Sequence, residues 1–165
     1  MDKVEFKPIP QMNQSIIDFL ISLPIFDKLS SEELHVVGKF MYYVKAKHGK
    51  IIFKEGDKGS YIFFLASGVV DVLKYSESGH YVSIATLSKG RSIGEMAVID
   101  NYTRSATIRT RDNVMLLMIE KTEFNKLLEK YPAIGVKILL GITRLLSQGL
   151  RKTSSRLVDY MLPLG

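Results

Sequence analysis

The chain contains no cysteine. That excludes a disulfide framework, a thiolate nucleophile and a Cys-based metal site, and it suits a cytoplasmic protein. No unbroken run of about 18 apolar residues occurs, so no membrane span is expected. The first residues lack the basic-then-apolar layout of a signal peptide: Lys3 and Lys7 stand among acidic and polar residues, and the first long apolar group begins near Ile16. Histidine is scarce and scattered. His35 falls on an expected helix, His48 before a turn glycine and His80 after a hairpin glycine, so they read as surface residues, not as the cluster a histidine-ligated metal enzyme needs. Asp57, Asp71 and Asp100 show no paired spacing for acid/base work. No serine sits in a nucleophile elbow, and Gly90 to Gly94 is neither a Walker nor a dinucleotide fingerprint. The sequence therefore predicts no enzyme.

What is there is an ordinary globular balance: 165 residues, 46% hydrophobic, 24% charged, with a formal charge of +6. This is enough chain for one domain with a sizeable core. A positive balance attracts phosphates, nucleic acid or acidic lipid without choosing among them. The charges are dispersed, and only Arg144, Arg151, Lys152 and Arg156 make one helix locally basic. We read that as a solvated face. The chain stops too soon after Arg156 for a helix-turn-helix module, so direct DNA binding is not expected.

Periodicity divides the chain in three. Residues Asn13 to Ser22 predict a short helix, with Asn13 or Ser15 as cap and Ile16, Ile17, Phe19 and Leu20 as its apolar side; Pro24 ends it. Ser30 and Glu33 form a capping box for a second helix with Leu34, Val36 and Val37 inward. From Met41 short β-like runs alternate with glycine turns: Met41–Lys45, Ile51–Phe53, Tyr61–Leu65, Val69–Lys74, Tyr81–Leu87, Ala106–Arg109 and Val114–Ile119. Many short strands at this spacing predict an all-β sandwich, roll or barrel. Glu77-Ser78-Gly79 reads as a hairpin tip and Asp112-Asn113 as another turn. Helix returns at Thr122, its expected cap, with Phe124, Leu127 and Leu128 on one face. Pro132 opens a last helix expected to run to about Lys152, with Ile138, Ile142, Leu145 and Leu146 as a stripe. Ile134, Leu139 and Leu150 make that helix too apolar to stand free. Gly135, Gly141 and Gly149 weaken it by roughly 1 kcal/mol each relative to Ala, which suggests packing or hinge roles.

The informative segment runs from Gly90 to Ile108. Gly94 lets the backbone approach another group closely, and Ala97 leads into a short helical turn whose free N–H groups suit an anion. Arg104 enters a strand among small and apolar residues; a buried guanidinium requires a partner, and a phosphate matches its planar fork. Glu95 offers an acceptor for a hydroxyl, and Ser105 adds a hydroxyl beside the phosphate. A purely structural Arg104–Glu95 pair remains open from the residues alone.

Here the sequence resembles the cyclic-nucleotide-binding domain of catabolite-activator-type regulators, cyclic-nucleotide-dependent kinases and gated channels. The family cassette reads Phe-Gly-Glu-Leu-Ala-Leu, a few variable residues, then Pro-Arg-Ala-Ala-Thr-Val. The chain has Ile93-Gly94-Glu95-Met96-Ala97-Val98 and Thr103-Arg104-Ser105-Ala106-Thr107-Ile108. Further likeness lies in Leu23 to Ser30, Gly49 to Gly59 and Tyr61 to Val70. Departures are Thr103 for the usual proline, Ile93 for the usual aromatic and Ser60 for an acidic or amide residue. The resemblance implies a mainly β fold: an eight-stranded antiparallel β-roll with flanking N-terminal helices and a long C-terminal helix. It divides the chain into an extension (1–22), the binding domain (23–152) and a tail (153–165). It implies Glu95 as acceptor of the ribose 2′-hydroxyl, Arg104 as partner of the exocyclic phosphate oxygens, Gly94, Met96 and Ala97 as a backbone cradle, and Ser105 beside them.

Val69, Val82, Ile84 and Met96 are expected to line the base pocket, with the last helix closing it. Arg144, Gln148, Arg151, Lys152, Thr153 and Ser154 are its polar candidates for reading the base. The implied function is a sensor of cyclic AMP, favoured over cyclic GMP. The nucleotide would act as a regulatory ligand with no separate cofactor, shifting the C-terminal helix through the hinge segment Phe124 to Lys130. A homodimer through Ala133 to Leu150 and an unidentified effector protein are the expected partners. The alternatives are a roll that has lost its ligand and serves as an interaction module, and a site for a cyclic dinucleotide that would enlist Arg91 or Arg109.

Overall fold

The computed structural model describes residues 5–8 and 14–161. Asn13 lies outside that range. The N-terminal part holds strand β1 (Glu5–Pro8), helix α1 (Gln14–Ile21), a 3-10 turn (Pro24–Phe26) and helix α2 (Ser31–Gly38). The capping box forms as expected: the Ser30 hydroxyl accepts from the Glu33 N–H, and the Glu33 carboxylate accepts from the Ser30 N–H at 2.8 Å. Strands β2 (Met41–Ala46), β3 (Ile51–Phe53), β4 (Tyr61–Ser67), β5 (Val69–Tyr75), β6 (Tyr81–Ser88) and β7 (Ser92–Ile93) follow. Helix α3 (Glu95–Ile99), strands β8 (Thr107–Thr110) and β9 (Val114–Glu120), and helices α4 (Lys121–Lys130) and α5 (Pro132–Met161) complete the chain.

Two antiparallel sheets result, in the orders β1-β2-β9-β4-β7 and β3-β8-β5-β6. Strands β2 to β9 are the eight-stranded roll; β1 adds a further edge by pairing with β2. Neither β1 nor the two-residue β7 stood out as a run in the sequence. The β4–β5 reversal uses Gly68 at φ +85°, where a Cβ would lie 2.5 Å from the Asn113 carbonyl oxygen. Only glycine fits both constraints.

The apolar run of β9 is explained by burial on both faces. Strand alternation sends Leu116 and Met118 into the roll, beside Val44, Phe63, Leu65 and Ile108. It sends Leu117 and Ile119 the other way, into a second core with Leu20, Phe26, Leu34, Phe124 and Ile138. Neighbouring β4 divides its side chains likewise, Phe63 and Leu65 against Ile62 and Phe64. The helices are thus fastened to the back of one sheet.

Two helix boundaries differ from expectation. α4 leaves β9 without an intervening turn, so Glu120, not Thr122, is its N-cap, and no side chain caps it. α5 starts at Pro132 but continues past Lys152 to Met161, because residues 153–161 include no breaker. Its inner face is held by Ile134, Ile138, Ile142 and Leu145. Gly135 rests against Leu128 and Gly141 against the Ile25 backbone, while Gly149 faces open space. Two ion pairs fasten it further: Lys137 to Glu33 and Arg144 to Asp27, each at 2.7 Å. By length and composition, residues Pro132–Val158 are long and apolar enough to cross a membrane. The buried stripe accounts for part of that apolarity.

Candidate ligand-binding site

The chain's reversal after β7 builds the site. Gly94 adopts φ +81°, and a Cβ there would collide with the Arg104 Nη1 atom and lie 3.3 Å from the Phe53 ring. α3 begins immediately after it. Arg104 is stitched at its backbone to the turn after β3: its N–H donates to the Asp57 carbonyl at 2.8 Å, and its carbonyl accepts from the Gly56 N–H at 2.9 Å. The residue is 3% exposed. Nη1 donates to the Gly94 carbonyl at 2.6 Å, Nη2 to the Tyr61 carbonyl at 2.7 Å, and the plane lies 4.2 Å from the Phe53 ring centroid.

Two buried polar atoms at this point have no partner among the described residues: Arg104 Nε and Glu95 Oε2. Burial raises the Glu95 pKa, against the opposing pull of a Ser92 hydrogen bond and the Arg104 and Arg91 charges. Burial lowers the Arg104 pKa from its usual value. No ion pair joins Glu95 and Arg104 among the described residues; backbone carbonyls hold the guanidinium instead. The purely structural pair is therefore not what the fold makes.

These groups border a cavity of about 130 Å³ that opens to solvent. Gly94, Glu95, Met96, Ala97, Arg104 and Ser105 all line it. Val69, Val82 and Ile84 do not. Val69 alternates with Val70 and Val72, which puts it on the opposite face of β5. The β5–β6 register shifts beside Val72, leaving Ile84 without a counterpart and Val82 beyond it opposite Lys74; both are half exposed. Val72 and Leu87 supply the wall in their place, together with Phe53, Ser92, Ile93, Ala106 and Ile108. Alternation from the core residue Val70 is the signal that points to Val72. Nothing local identifies Phe53 or Leu87.

No residue of α5 lines the cavity. The helix does not close the pocket in this arrangement, and Arg144 is engaged with Asp27. Arg109 lies 3.7 Å from Asp71, away from the cavity lining. The His48 ring bonds the Arg111 carbonyl and the His35 ring the Ser31 carbonyl, and no metal-holding cluster occurs among the described residues. The arrangement can bind an anion at the guanidinium, take a hydroxyl at the carboxylate, and cover a flat apolar surface.

Residues 43–131 match the cyclic nucleotide-binding domain family. The chain is similar to a cGMP-dependent protein kinase of Plasmodium berghei, 31% identical over 123 residues, covering 73% of this chain and 14% of the kinase. It is also similar to a cAMP-dependent protein kinase regulatory subunit of Dictyostelium discoideum, 32% identical over 104 residues, covering 63% of this chain and 32% of that subunit. The chain thus spans a third or less of these relatives. A crystallised cyclic nucleotide-binding domain from Methylobacillus flagellatus superposes with a TM-score of 0.80 at 26% identity, covering 89% of this chain and 83% of that one. The sheet order, the glycine-turned cassette and the matched residues agree: the chain belongs to the cyclic nucleotide-binding domain family.

Proposed function

We propose that the chain is a sensor that binds a cyclic nucleotide and performs no chemistry on it. One observation carries the reading: Arg104 and Glu95 line the same cavity, and among the described residues each keeps one buried, unpaired atom, Nε and Oε2. A free buried donor on a cation and a free acceptor on a carboxylate are costly unless a ligand completes them. A cyclic phosphate beside a ribose hydroxyl offers the complementary pair. The nucleotide is a regulatory ligand, and cyclic AMP is favoured over cyclic GMP. Val72, Leu87 and Met96 line the cavity with apolar side chains, which suits adenine, the base with the fewer polar groups to desolvate.

Binding acts by population shift. α5 lies off the cavity, fastened to the N-terminal helices, and α4 joins it to the roll. A ligand that gains contacts when α5 moves toward the base biases that helix, by no more than the difference in affinity between the two positions. The outward face of α5 carries Val136, Leu140 and Leu150, all exposed, which suits the homodimer expected through Ala133 to Leu150. An effector protein would read the helix position, in a cytoplasmic setting.

Calorimetric titration with cyclic AMP and cyclic GMP, beside Arg104→Ala, tests the reading. Micromolar binding that is lost in the variant, with cyclic AMP the tighter ligand, is the expected outcome. No heat with either nucleotide, together with an unshifted melting temperature, would favour the interaction module that has lost its ligand.

A further inference from the structure

Lys74 belongs to none of the motifs above and does not line the cavity, yet it holds the loop that builds it. It projects from β5 toward the Arg104 segment. Its ammonium is paired with the Glu55 carboxylate and also donates to the Ser105 carbonyl at 2.9 Å. Glu55 is fixed in turn: its N–H donates to the Thr107 hydroxyl at 2.9 Å, and its carboxylate accepts from the Tyr75 N–H at 3.3 Å. The segment from Arg104 to Thr107 is thereby anchored at three successive points. The Asp57 turn takes Arg104, Lys74 takes Ser105, and the Glu55 backbone takes Thr107.

We propose that Lys74 is a positioning residue for the anion-binding side of the site, acting through the Ser105–Ala106 peptide. This rests on the cyclic-nucleotide reading above. In a trans peptide the carbonyl and the following N–H point in opposite directions. Holding the Ser105 carbonyl on Lys74 therefore turns the Ala106 N–H out from the opposite edge of the peptide group, at the two residues that line the cavity beside Arg104. The Glu55 carboxylate keeps the ammonium at this carbonyl and compensates its charge, so the lysine orients the peptide without offering the anion a second full charge. Among the described residues Ser105 makes no side-chain hydrogen bond that would do the same work. Without Lys74 the Ser105 carbonyl loses this anchor while Arg104 and Thr107 keep theirs, and a ligand that uses the Ala106 N–H must do more to order the peptide between them.

The test compares wild type with Lys74→Met and Lys74→Arg by three measurements: cyclic AMP and cyclic GMP titration, melting temperature, and the backbone amide spectrum of the ligand-free protein. Lys74→Met is expected to weaken binding about five-fold, in line with a charge-assisted bond lost at a partly exposed position. It should displace the Ser105 and Ala106 amide resonances while leaving Gly94 to Ala97 in place, and Lys74→Arg should restore most of the affinity. Unchanged affinity in a folded Lys74→Met protein overturns the inference, as does a loss that Lys74→Arg fails to restore although it folds. So does a loss without displaced Ser105 and Ala106 resonances. Absence of binding by wild type overturns the functional reading itself, and this inference with it.

Discussion

Arg104 and Glu95 are charged groups kept almost wholly out of water, and each leaves one atom unmatched. The cost falls on the free protein, and the proposed nucleotide would relieve it. Glu95 shows this through its titration. Burial raises its pKa, so the fold holds the proton more tightly than the unfolded chain does. The stability linked to this group is then complete below the unfolded pKa and is lost as the pH rises through the folded one. Glu95→Gln carries no charge at any pH. It is expected to melt higher than wild type at pH 7, to melt with wild type near pH 4, roughly the range in which free carboxylates are protonated, and to bind cyclic nucleotide more weakly. Thermal scans at the two pH values with one titration check all three. A variant that melts lower at pH 7 would mean that the Ser92 and Arg104 interactions outweigh burial.

At the scale of elements, helix α5 presents three glycines with different surroundings, and they separate packing from propensity. A Cβ at Gly141 would collide with the Ile25 carbonyl oxygen and lie 2.9 Å from its Cα. Because these are backbone atoms, they cannot swing aside. Gly141→Ala is expected to destabilise by about 1–3 kcal/mol through overpacking, in spite of its better helix propensity. At Gly149 an added Cβ would meet no described group within 4 Å beyond its own helix backbone, and Gly149→Ala should stabilise by up to about 1 kcal/mol. Opposite signs in a denaturant titration are the outcome that supports the docked position of α5; two stabilised variants would place the helix elsewhere. The capping box and the glycine turns were legible because their causes lie within a few residues. The start of α4 was not, since Thr122 has the chemistry of a cap and only the unbroken passage out of β9 moves that role to Glu120.

At the scale of the whole molecule, the outward face of α5 has no partner among the described residues. Val136, Leu140, Thr143, Ser147, Leu150, Ser154, Leu157 and Met161 follow one another at alternating spacings of four and three, the seam pattern of paired helices. Val136, Leu140, Leu150, Leu157 and Met161 are all exposed. Sedimentation of the wild-type chain is expected to show a dimer, and Leu140→Glu with Leu150→Glu a folded monomer with an unchanged circular-dichroism spectrum. A wild-type monomer would remove the dimer from the proposal and leave α5 free to act within one chain.

By itself the sequence determined the alternation of helix, roll and helix, the strand runs from Met41 to Ile119, and the cassette Gly94 to Ser105. Each of these is written in short-range terms: a period of two, a glycine at a turn, a carboxylate and an arginine on one loop. The tertiary structure alone decided that Val72 and Leu87 replace Val69, Val82 and Ile84 at the cavity. It alone placed α5 away from the pocket and brought Lys74 to the Ser105 carbonyl. The reason is physical. Which face of a strand points inward depends on register and bulges set by pairing with distant strands, and where a helix docks depends on the surface that other elements leave open for it.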